Sequence, residues 1–239
     1  MKNLAKLILA TAVTLATTQA FAAEPRVTGN VGVESSFIYR GVDLTEKNNA
    51  SVGANFRVDN AFIDGLYVNV QANTLNIRDG GADVRVDAGV GYKRDLGRWD
   101  YDVSVNRVVN PGTYSYDFTE ARGQVGVDLT SNVNLYGQLG YQLGASTNED
   151  LYGAVGVAYN DAFTVKNLRL GLQTSAYHYN EPVFVNGDRS ATKYNNTEAT
   201  ASYLIDTRTV VYGKYSVGGH DRLGRDIGSV GTVGIKVLF

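Results

Sequence analysis

The chain has 239 residues, of which 22 are basic and 24 acidic, and it contains 27 glycines, 16 tyrosines and no cysteine. Nearly balanced charge without a basic stripe argues against nucleic acid as a partner. Two histidines and no cysteine leave few groups for acid–base or nucleophilic chemistry and exclude disulfides. The abundance of tyrosine and glycine favours strands and turns.

The N-terminal segment has the organisation of a secretory signal peptide. Lys2 and Lys6 precede an apolar run over 7–15, and Ala-Phe-Ala follows at 20–22. A basic start, a short apolar core and a small-x-small site predict cleavage near Ala22. An uncleaved membrane anchor is the alternative, but the run is shorter than the ~20 apolar residues of a spanning helix. We therefore predict a signal peptide over 1–22 and one domain over 23–239.

From residue 27 onward, apolar side chains recur at every second position in segments of about ten residues. Alternation at this period gives a strand with one apolar and one polar face. The segments are 27–39, 52–58, 66–72, 84–92, 99–105, 125–129, 133–141, 151–159, 168–172, 199–203, 211–217 and 233–239. No helix pattern occurs among them, so we predict an all-β chain of about 12 strands, with about 10 or 14 as alternatives.

The breaks between the segments alternate in length. Every other break tends to be long and polar, as in RGVDLTEKNN and YNEPVFVNGDRSATKYN, whereas the breaks between them, such as LTSN and IDTR, are short. Long loops at one end and tight turns at the other are typical of outer-membrane barrels. The three prolines lie outside the segments, as their missing amide donor requires. We therefore predict a single transmembrane antiparallel up-and-down β-barrel.

Aromatic residues on the apolar face gather at two levels when both termini are placed in the periplasm. The level near the outer strand ends contains Phe37, Tyr39, Tyr141 and Tyr215. The level near the inner ends contains Tyr92, Trp99, Tyr101, Tyr159, Tyr203 and Phe239. Aliphatic residues and glycine lie between the levels, with Phe56 as the main exception. Aromatic rings prefer the headgroup boundary, so we predict that these residues mark the two interfaces of the Gram-negative outer membrane.

The opposite face of the segments is polar and charged. The predicted pore-lining residues are Glu34, Arg40, Arg57, Arg85, Asp87, Asp100, Asp102, Arg122, Asp128, Arg169, Glu198, Lys214 and Lys236. Because unpaired buried charge is costly, these residues predict a hydrated or salt-bridged lumen. The strand number predicts a narrow lumen. The balanced charges predict weak ion selectivity unless opposite charges lie on opposite walls.

One segment does not keep a single phase. Tyr116 and Phe118 are even-numbered, whereas the apolar residues of 125–129 are odd-numbered. Two interpretations remain open: a β-bulge within 119–123 restores the phase, or the two rings belong to the preceding loop.

The motifs associated with chemistry favour structural explanations. Gly-x-x-Gly recurs, but no helix pattern follows any copy, as a nucleotide site would require. His178 and Ser175 follow opposite phases of one strand, so they do not predict a nucleophile with its base. His220 lies in a predicted loop without a nucleophile at a suggestive position. The acidic loop residues Glu149, Asp150, Asp221 and Asp226 lack the dense oxygen-ligand spacing of a calcium loop. We predict no catalytic, cofactor-binding or metal site.

The stretch 33–45 carries a family resemblance. The pattern Val-x-Ser-x-Tyr-x-(aromatic)-Arg-Gly, followed by a loop with Ser or Thr, is approached at Val33, Ser35, Phe37, Tyr39, Arg40, Gly41 and Thr45. In this stretch the chain resembles the TorF-like family of outer-membrane porins. It departs from that family at Phe37, where tyrosine is usual, and near position 50, where only Ala50 and Gly53 remain of the expected Pro-Ala and Gly-Gly. The resemblance implies an outer-membrane barrel with channel function and no defined substrate.

The last residues alternate and finish on Phe239. In a closed barrel the last strand pairs with the first, so we expect Phe239 to anchor it at the membrane boundary. Outer-membrane proteins share such a terminal pattern, which the barrel-assembly machinery recognises. By that resemblance the expected partners are this machinery, outer-membrane lipid and lipopolysaccharide.

Together these features predict a porin for passive diffusion of small polar or charged solutes, and not an enzyme. The alternatives are an outer-membrane lipase or protease, and a plugged structural or adhesive barrel without conductance. A periplasmic lipocalin-like protein is a more distant alternative.

Overall fold

The computed structural model describes residues 24–45, 49–75, 84–111, 117–143, 150–185, 188–221 and 225–239, without the side chains of 180–191. The predicted signal peptide lies outside these residues and stays a prediction. The strands of the described residues are β1 Arg26–Glu34, β2 Ile38–Tyr39, β3 Val42–Asp43, β4 Ser51–Asp59, β5 Leu66–Thr74, β6 Val84–Leu96, β7 Trp99–Val109, β8 Phe118–Asp128, β9 Val133–Leu143, β10 Leu151–Asn160, β11 Leu168–Val185, β12 Asp188–Leu204, β13 Thr209–Gly218 and β14 Val230–Leu238.

β1 and β4–β14 form one closed antiparallel barrel, and β2 pairs only with β3. β1 completes the barrel by pairing with β14 on one side and β4 on the other, so that Val31 lies opposite both Val237 and Ala54. The Phe239 amide donates to the Gly29 carbonyl at 3.0 Å, and the Gly29 amide donates to the Phe239 carbonyl at 2.9 Å. The last strand therefore has no free edge. The predicted all-β barrel of twelve strands is confirmed.

The two faces of the barrel wall differ in polarity. Outward positions are mainly aliphatic and exposed, as at Val155 and Val233, which are 61% and 67% exposed. Inward positions are mainly polar, charged or tyrosine, as the alternating burial of the strands shows. None of the helical segments among the described residues has the length and apolar character needed to cross a membrane.

The two rims of the barrel have connections of different length. The terminal rim, where Arg26 and Phe239 lie, has short connections at 60–65, 97–98, 129–132, 161–167 and 205–208. Gly97 has φ +67°, which lets β6 and β7 reverse within two residues. At the opposite, distal rim, the longest connections are 35–50 and 219–229. This agrees with the predicted alternation of short and long breaks.

The prediction of a loop over 179–195 is wrong. β11 continues to Val185 and β12 begins at Asp188, so these strands form a hairpin longer than its neighbours. The register shifts at Asn195, because Ser175 lies opposite Asn196 whereas Ala176 lies opposite Tyr194. Such a bulge adds one residue to one strand only and breaks the alternation on which the prediction depended.

The first strand is shorter than its apolar alternation predicts. β1 ends at Glu34, and the chain bends at 35–36 into the barrel. The Ser35 hydroxyl lies 3.2 Å from the Thr232 hydroxyl, which also accepts the Ser36 amide at 3.1 Å. These contacts hold the bend against β14. The prediction that one strand runs from 27 to 39 is therefore wrong.

β8 keeps one phase along its whole length. Its pairing with β7 is continuous from Phe118, opposite Val108, to Val127, opposite Trp99, so no bulge is present. Phe118 is buried in phase with Glu120 and Arg122. The even-numbered ring thus faces the lumen, and the odd-numbered valines face outward. Tyr116 lies outside the described residues.

The predicted interface aromatics separate into two groups. Trp99, Tyr203, Tyr215 and Phe239 are exposed on the outer wall. Tyr101 packs beside the ring of Tyr92 with ring centroids 6.3 Å apart, and Tyr159 meets the ring of Phe163 at 5.9 Å. Their contact with a membrane interface stays a prediction.

Four of the aromatic assignments are wrong. Neighbouring protein covers the ring of Tyr92, which is 5% exposed. Phe37 is 8% exposed and packs with Leu75, because the chain has already turned inward. Tyr39 lies inside the barrel on the same turn. Tyr141 shares the outward phase of Leu139 but is 2% exposed, so neighbouring protein covers its ring at the end of β9.

Candidate functional site

The lumen contains a folded segment, residues 37–45, that we call the inner hairpin. β2 and β3 pair through Ile38 opposite Asp43 and Tyr39 opposite Val42. The turn between them has positive φ at Arg40 (50°) and Gly41 (80°), and a glycine accepts that conformation without strain. The Phe37 amide donates to the Thr45 hydroxyl at 3.1 Å, and this hydroxyl donates to Asp43 at 2.7 Å. The inner hairpin is thus closed by its own hydrogen bonds.

Side chains of β12 and β13 hold the inner hairpin against the wall. Asn195 Nδ2 donates to the Arg40 carbonyl at 3.2 Å and to the His220 carbonyl at 2.8 Å. Lys214 Nζ donates to the Ile38 carbonyl at 3.5 Å. The bulge at Asn195 therefore supplies the amide that ties the turn of the inner hairpin to the wall.

Arg40 reaches from the tip of the inner hairpin to strands across the lumen. Its Nη2 donates to Glu120 Oε1 of β8 at 2.7 Å, and its guanidinium carbon lies 3.9 Å from the ring centroid of Tyr152 in β10. A guanidinium keeps its proton at physiological pH, and Glu120 supplies the opposite charge that a buried cation requires. The guanidinium therefore stays charged where it narrows the lumen.

Glu120 binds a second arginine of its own strand. Arg122 donates from Nε to the other Glu120 oxygen, and from Nη2 to the Tyr39 hydroxyl at 3.4 Å. Glu120 is fully buried. The sequence analysis did not identify Glu120 as a lumen residue. The alternation over 116–129 has no single phase in the sequence, so it does not show which face Glu120 occupies. Once Arg122 is known to face the lumen, Glu120 is expected there too, because residues two apart lie on the same face of a strand.

Arg85 completes a group around Tyr39 that we call the arginine cluster: Arg40, Arg85 and Arg122. Its guanidinium carbon lies 3.8 Å from the Tyr39 ring centroid, a cation–π contact. Its Nε donates to both Asp87 oxygens at 3.2 Å. The sequence predicted these arginines as separate lining residues, and the inner hairpin brings them together.

Tyrosines fill the lumen beside β10 and β11. The rings of Tyr152 and Tyr177 lie 5.3 Å apart, and those of Tyr177 and Tyr179 lie 6.2 Å apart. Tyr179 donates its hydroxyl to the Asp221 carbonyl at 2.7 Å. Sequence reading missed these lumen rings because it assigned aromatics to lipid interfaces.

The lumen beside β1, β4, β5 and β12–β14 is open, with a cavity of about 470 Å³. Its polar lining includes Glu34, Asn55, Gln71, Asn73, Ser202, Lys214 and Lys236. Glu34 accepts a hydrogen bond from the Tyr212 hydroxyl at 3.0 Å, and Lys214 Nζ lies 3.6 Å from a Glu198 oxygen. This cavity provides polar contacts and room for water.

Carboxylates predominate in the lumen near the terminal rim of β4–β8. Arg57 pairs with Asp59 at 2.6 Å and stacks over Tyr67, with its guanidinium carbon 3.6 Å from the ring centroid. The Tyr67 hydroxyl donates to Asp102 at 2.6 Å. Asp100 and Asp128 follow the same inward phase on β7 and β8.

The facing wall holds charges of both signs. Arg169, Lys214 and Lys236 of β11, β13 and β14 accompany the carboxylates Glu34 and Glu198. Both signs of charge therefore occur on each wall of the described barrel, because Arg85 and Arg122 lie on β6 and β8 among the carboxylates. Weak ion selectivity stays a prediction.

Ser175 and His178 do not form a catalytic pair. The Ser175 hydroxyl faces inward and donates to Asn195 Oδ1 at 2.9 Å. His178 faces outward, and its Nδ1 lies 2.8 Å from the Thr192 hydroxyl. A nucleophile and its base must be within hydrogen-bond reach of each other.

The solved structures that align with the chain include outer-membrane porins and channels. The NanC porin aligns with a TM-score of 0.59 at 15% identity, covering 90% of this chain and 99% of that one. The KdgM porin, solved with disordered oligogalacturonate, aligns with a TM-score of 0.58 at 7% identity and the same coverage, 90% and 99%. An outer membrane channel of Pseudomonas putida F1 aligns with a TM-score of 0.51 at 11% identity, covering 93% and 97%.

The closed barrel with its charged lumen thus has the fold of porin-type outer-membrane proteins. Residues 19–223 match Gcw_chp, a family described as a bacterial protein of unknown function, and the chain belongs to this family. No curated protein matches the sequence.

Proposed function

We propose that the chain is a passive channel for small polar or charged solutes in the Gram-negative outer membrane, reached after export and cleavage near Ala22. The porin fold of the structural neighbours supports this proposal, and so does the TorF-like resemblance of 33–45. Outer-membrane lipid, lipopolysaccharide and the barrel-assembly machinery are the partners that the same proposal requires.

The observation that carries the proposal is the contrast between the two faces of the closed wall. Its outside is apolar, and its inside holds charged side chains around a cavity of about 470 Å³. A protein that only needed a stable interior would fill it with apolar side chains, because buried charge costs stability without full pairing. A water-filled route for solutes accounts for the polar lining.

Electrical recording tests the proposal directly. Refolded full-length mature protein in a planar lipid bilayer should give discrete conductance steps, and a salt gradient should give a measurable reversal potential. The steps should be small, because the inner hairpin and the tyrosines occupy part of the lumen. Absence of steps from correctly folded protein would reject the channel function.

A barrel without conductance is the second candidate, and the inner hairpin is the observation that favours it. The Arg40–Glu120 ion pair joins the inner hairpin to the far wall at 2.7 Å and could close the lumen. Folded protein that stays silent in bilayers would support this alternative. The enzymatic alternative predicts lipid or peptide hydrolysis that is lost in His178→Ala.

A further inference from the structure

Arg85 has hydrogen-bond donors that the described residues do not use. Its Nε contacts Asp87, but Nη2 is buried and without a hydrogen-bond partner. The residue is 4% exposed. A guanidinium offers five N–H donors, and burying such a charged group without acceptors is unfavourable. The unused N–H donors indicate that a ligand with a hydrogen-bond acceptor can bind at Arg85.

The arginine cluster also carries more positive than negative charge. Arg40, Arg85 and Arg122 are accompanied by two paired carboxylates, Glu120 and Asp87. Arg40 is held by Glu120 and the Tyr152 ring, whereas Arg122 Nη2 makes only a long contact of 3.4 Å to the Tyr39 hydroxyl. The donors of Arg85 and Arg122 are therefore the less committed ones, and both lie against Tyr39.

Arg85 lies behind the lining of the open lumen cavity, next to residues that belong to that lining. Arg85 lies directly opposite Asn73 in the pairing of β5 and β6, and Asn73 lines the cavity together with Phe37 of the inner hairpin. The Tyr39 ring covers Arg85 at 3.8 Å. A solute in the cavity would thus meet Arg85 once Tyr39 moves aside.

We propose that Arg85 and Arg122 form a subsite for the carboxylate group of an anionic solute, which displaces the Tyr39 ring. This proposal rests on the proposed channel function and narrows its substrate class. A carboxylate presents two acceptor oxygens in a plane, which suits the flat guanidinium edges. Arg40 is a positioning residue, because its ion pair with Glu120 fixes the inner hairpin that carries Tyr39.

Equilibrium binding tests the subsite independently of conductance. Glucuronate, with glucose as its uncharged comparator, is titrated calorimetrically into folded full-length mature protein in detergent. Glucuronate should bind saturably and glucose should not. Arg85→Gln should weaken glucuronate binding by about tenfold, the loss expected for charge-assisted hydrogen bonds. Tyr39→Ala should strengthen it several-fold, since the competing ring is gone.

Arg107→Gln is the matched control. Arg107 follows the outward phase of β7, and its guanidinium lies 3.7 Å from the Asp117 carboxylate. It is therefore an arginine near the same rim as Arg85, but on the outer face of the wall. Its replacement should leave glucuronate binding unchanged. Heat-modifiable mobility on gels verifies that each variant is folded. If Arg85→Gln does not fold, Arg122→Gln is measured in its place.

The outcomes separate the subsite from the channel. Binding that depends on Arg85 in a protein without conductance keeps the subsite and rejects the channel. Conductance steps together with equal glucuronate binding by wild type and the arginine variants reject the subsite and keep the channel. Failure of wild-type protein to bind glucuronate also rejects the subsite.

Discussion

Glu120 contacts two arginines with one fully buried carboxylate, Arg40 at 2.7 Å through Oε1 and Arg122 through Oε2. Such an arrangement is stable only while all members are present, because a buried cation without its partner bears the full cost of lost hydration. The side chain therefore links the tip of the inner hairpin to β8 across the lumen.

Replacing this carboxylate should destabilise the barrel. Glu120→Gln preserves the shape but leaves two guanidinium groups facing an amide, and we expect a loss of about 3 kcal/mol in the free energy of unfolding. Urea unfolding of refolded protein in lipid vesicles measures it. Asp128→Asn, at an exposed strand end, is the control and should change little. If Glu120→Gln lowers the free energy of unfolding no more than the control does, the two ion pairs make no net contribution to stability.

The residue scale also shows why the lumen could be predicted only in part. Arg85 was recognisable because it lies between Val84 and Val86, and Arg122 because its even number is opposite in phase to Val125 and Val127. Glu120 was not recognisable as a lumen residue. Phe118 shares its phase, and an aromatic ring at that position suggested a face toward lipid. An aromatic ring is favourable both at a lipid interface and stacked on an arginine. Residue type alone therefore does not show whether the ring faces the membrane or the lumen.

At the level of elements, the inner hairpin is the feature that sequence alternation could not predict. The period of two continues from β1 through Phe37 and Tyr39, although the chain leaves the wall at 35–36. The turn depends on partners distant in sequence, chiefly Thr232 and Asn195. In contrast, the wall strands were predictable because each must present one apolar face along its whole length.

Removing the inner hairpin should widen the channel. Replacing 37–44 by a short Gly-Ser linker removes Arg40 and Tyr39 from the lumen, so the single-channel conductance should rise at least about twofold if this segment forms the constriction. The control replaces 162–166, a terminal-rim turn, by a linker of equal length, which should leave the conductance unchanged. An unaltered conductance in the first variant would place the narrowest point elsewhere.

The final strand offers a test of barrel closure. Deleting Phe239 removes both backbone hydrogen bonds to Gly29 and the exposed ring, so less folded barrel should accumulate in the outer membrane. Phe239→Tyr retains the hydrogen bonds and an aromatic ring, and it should accumulate normally. Heat-modifiable mobility and abundance on gels provide the measurement. Normal amounts of the deletion variant would contradict this role for Phe239.

For the molecule as a whole, the environment of the outer wall decides how the structure is to be understood. The valines exposed along the strands would be a large apolar surface in water, which soluble proteins avoid. Within a bilayer the same surface is favourable, and the charged lumen becomes the polar phase. The barrel thus has its apolar and polar regions exchanged relative to a soluble domain.

A charge placed on either face distinguishes these environments. Val155 lies in the middle of β10 and faces outward, so Val155→Arg should lower the free energy of unfolding in lipid vesicles by about 2–4 kcal/mol, the cost of arginine near the bilayer midplane. Gln138→Arg, on the neighbouring strand opposite Ala154 and facing the lumen, should cost less because the lumen is polar. Urea unfolding compares the two variants. Equal losses, or a mature polypeptide that is monomeric in water without detergent, would mean that the valine-rich wall does not face lipid.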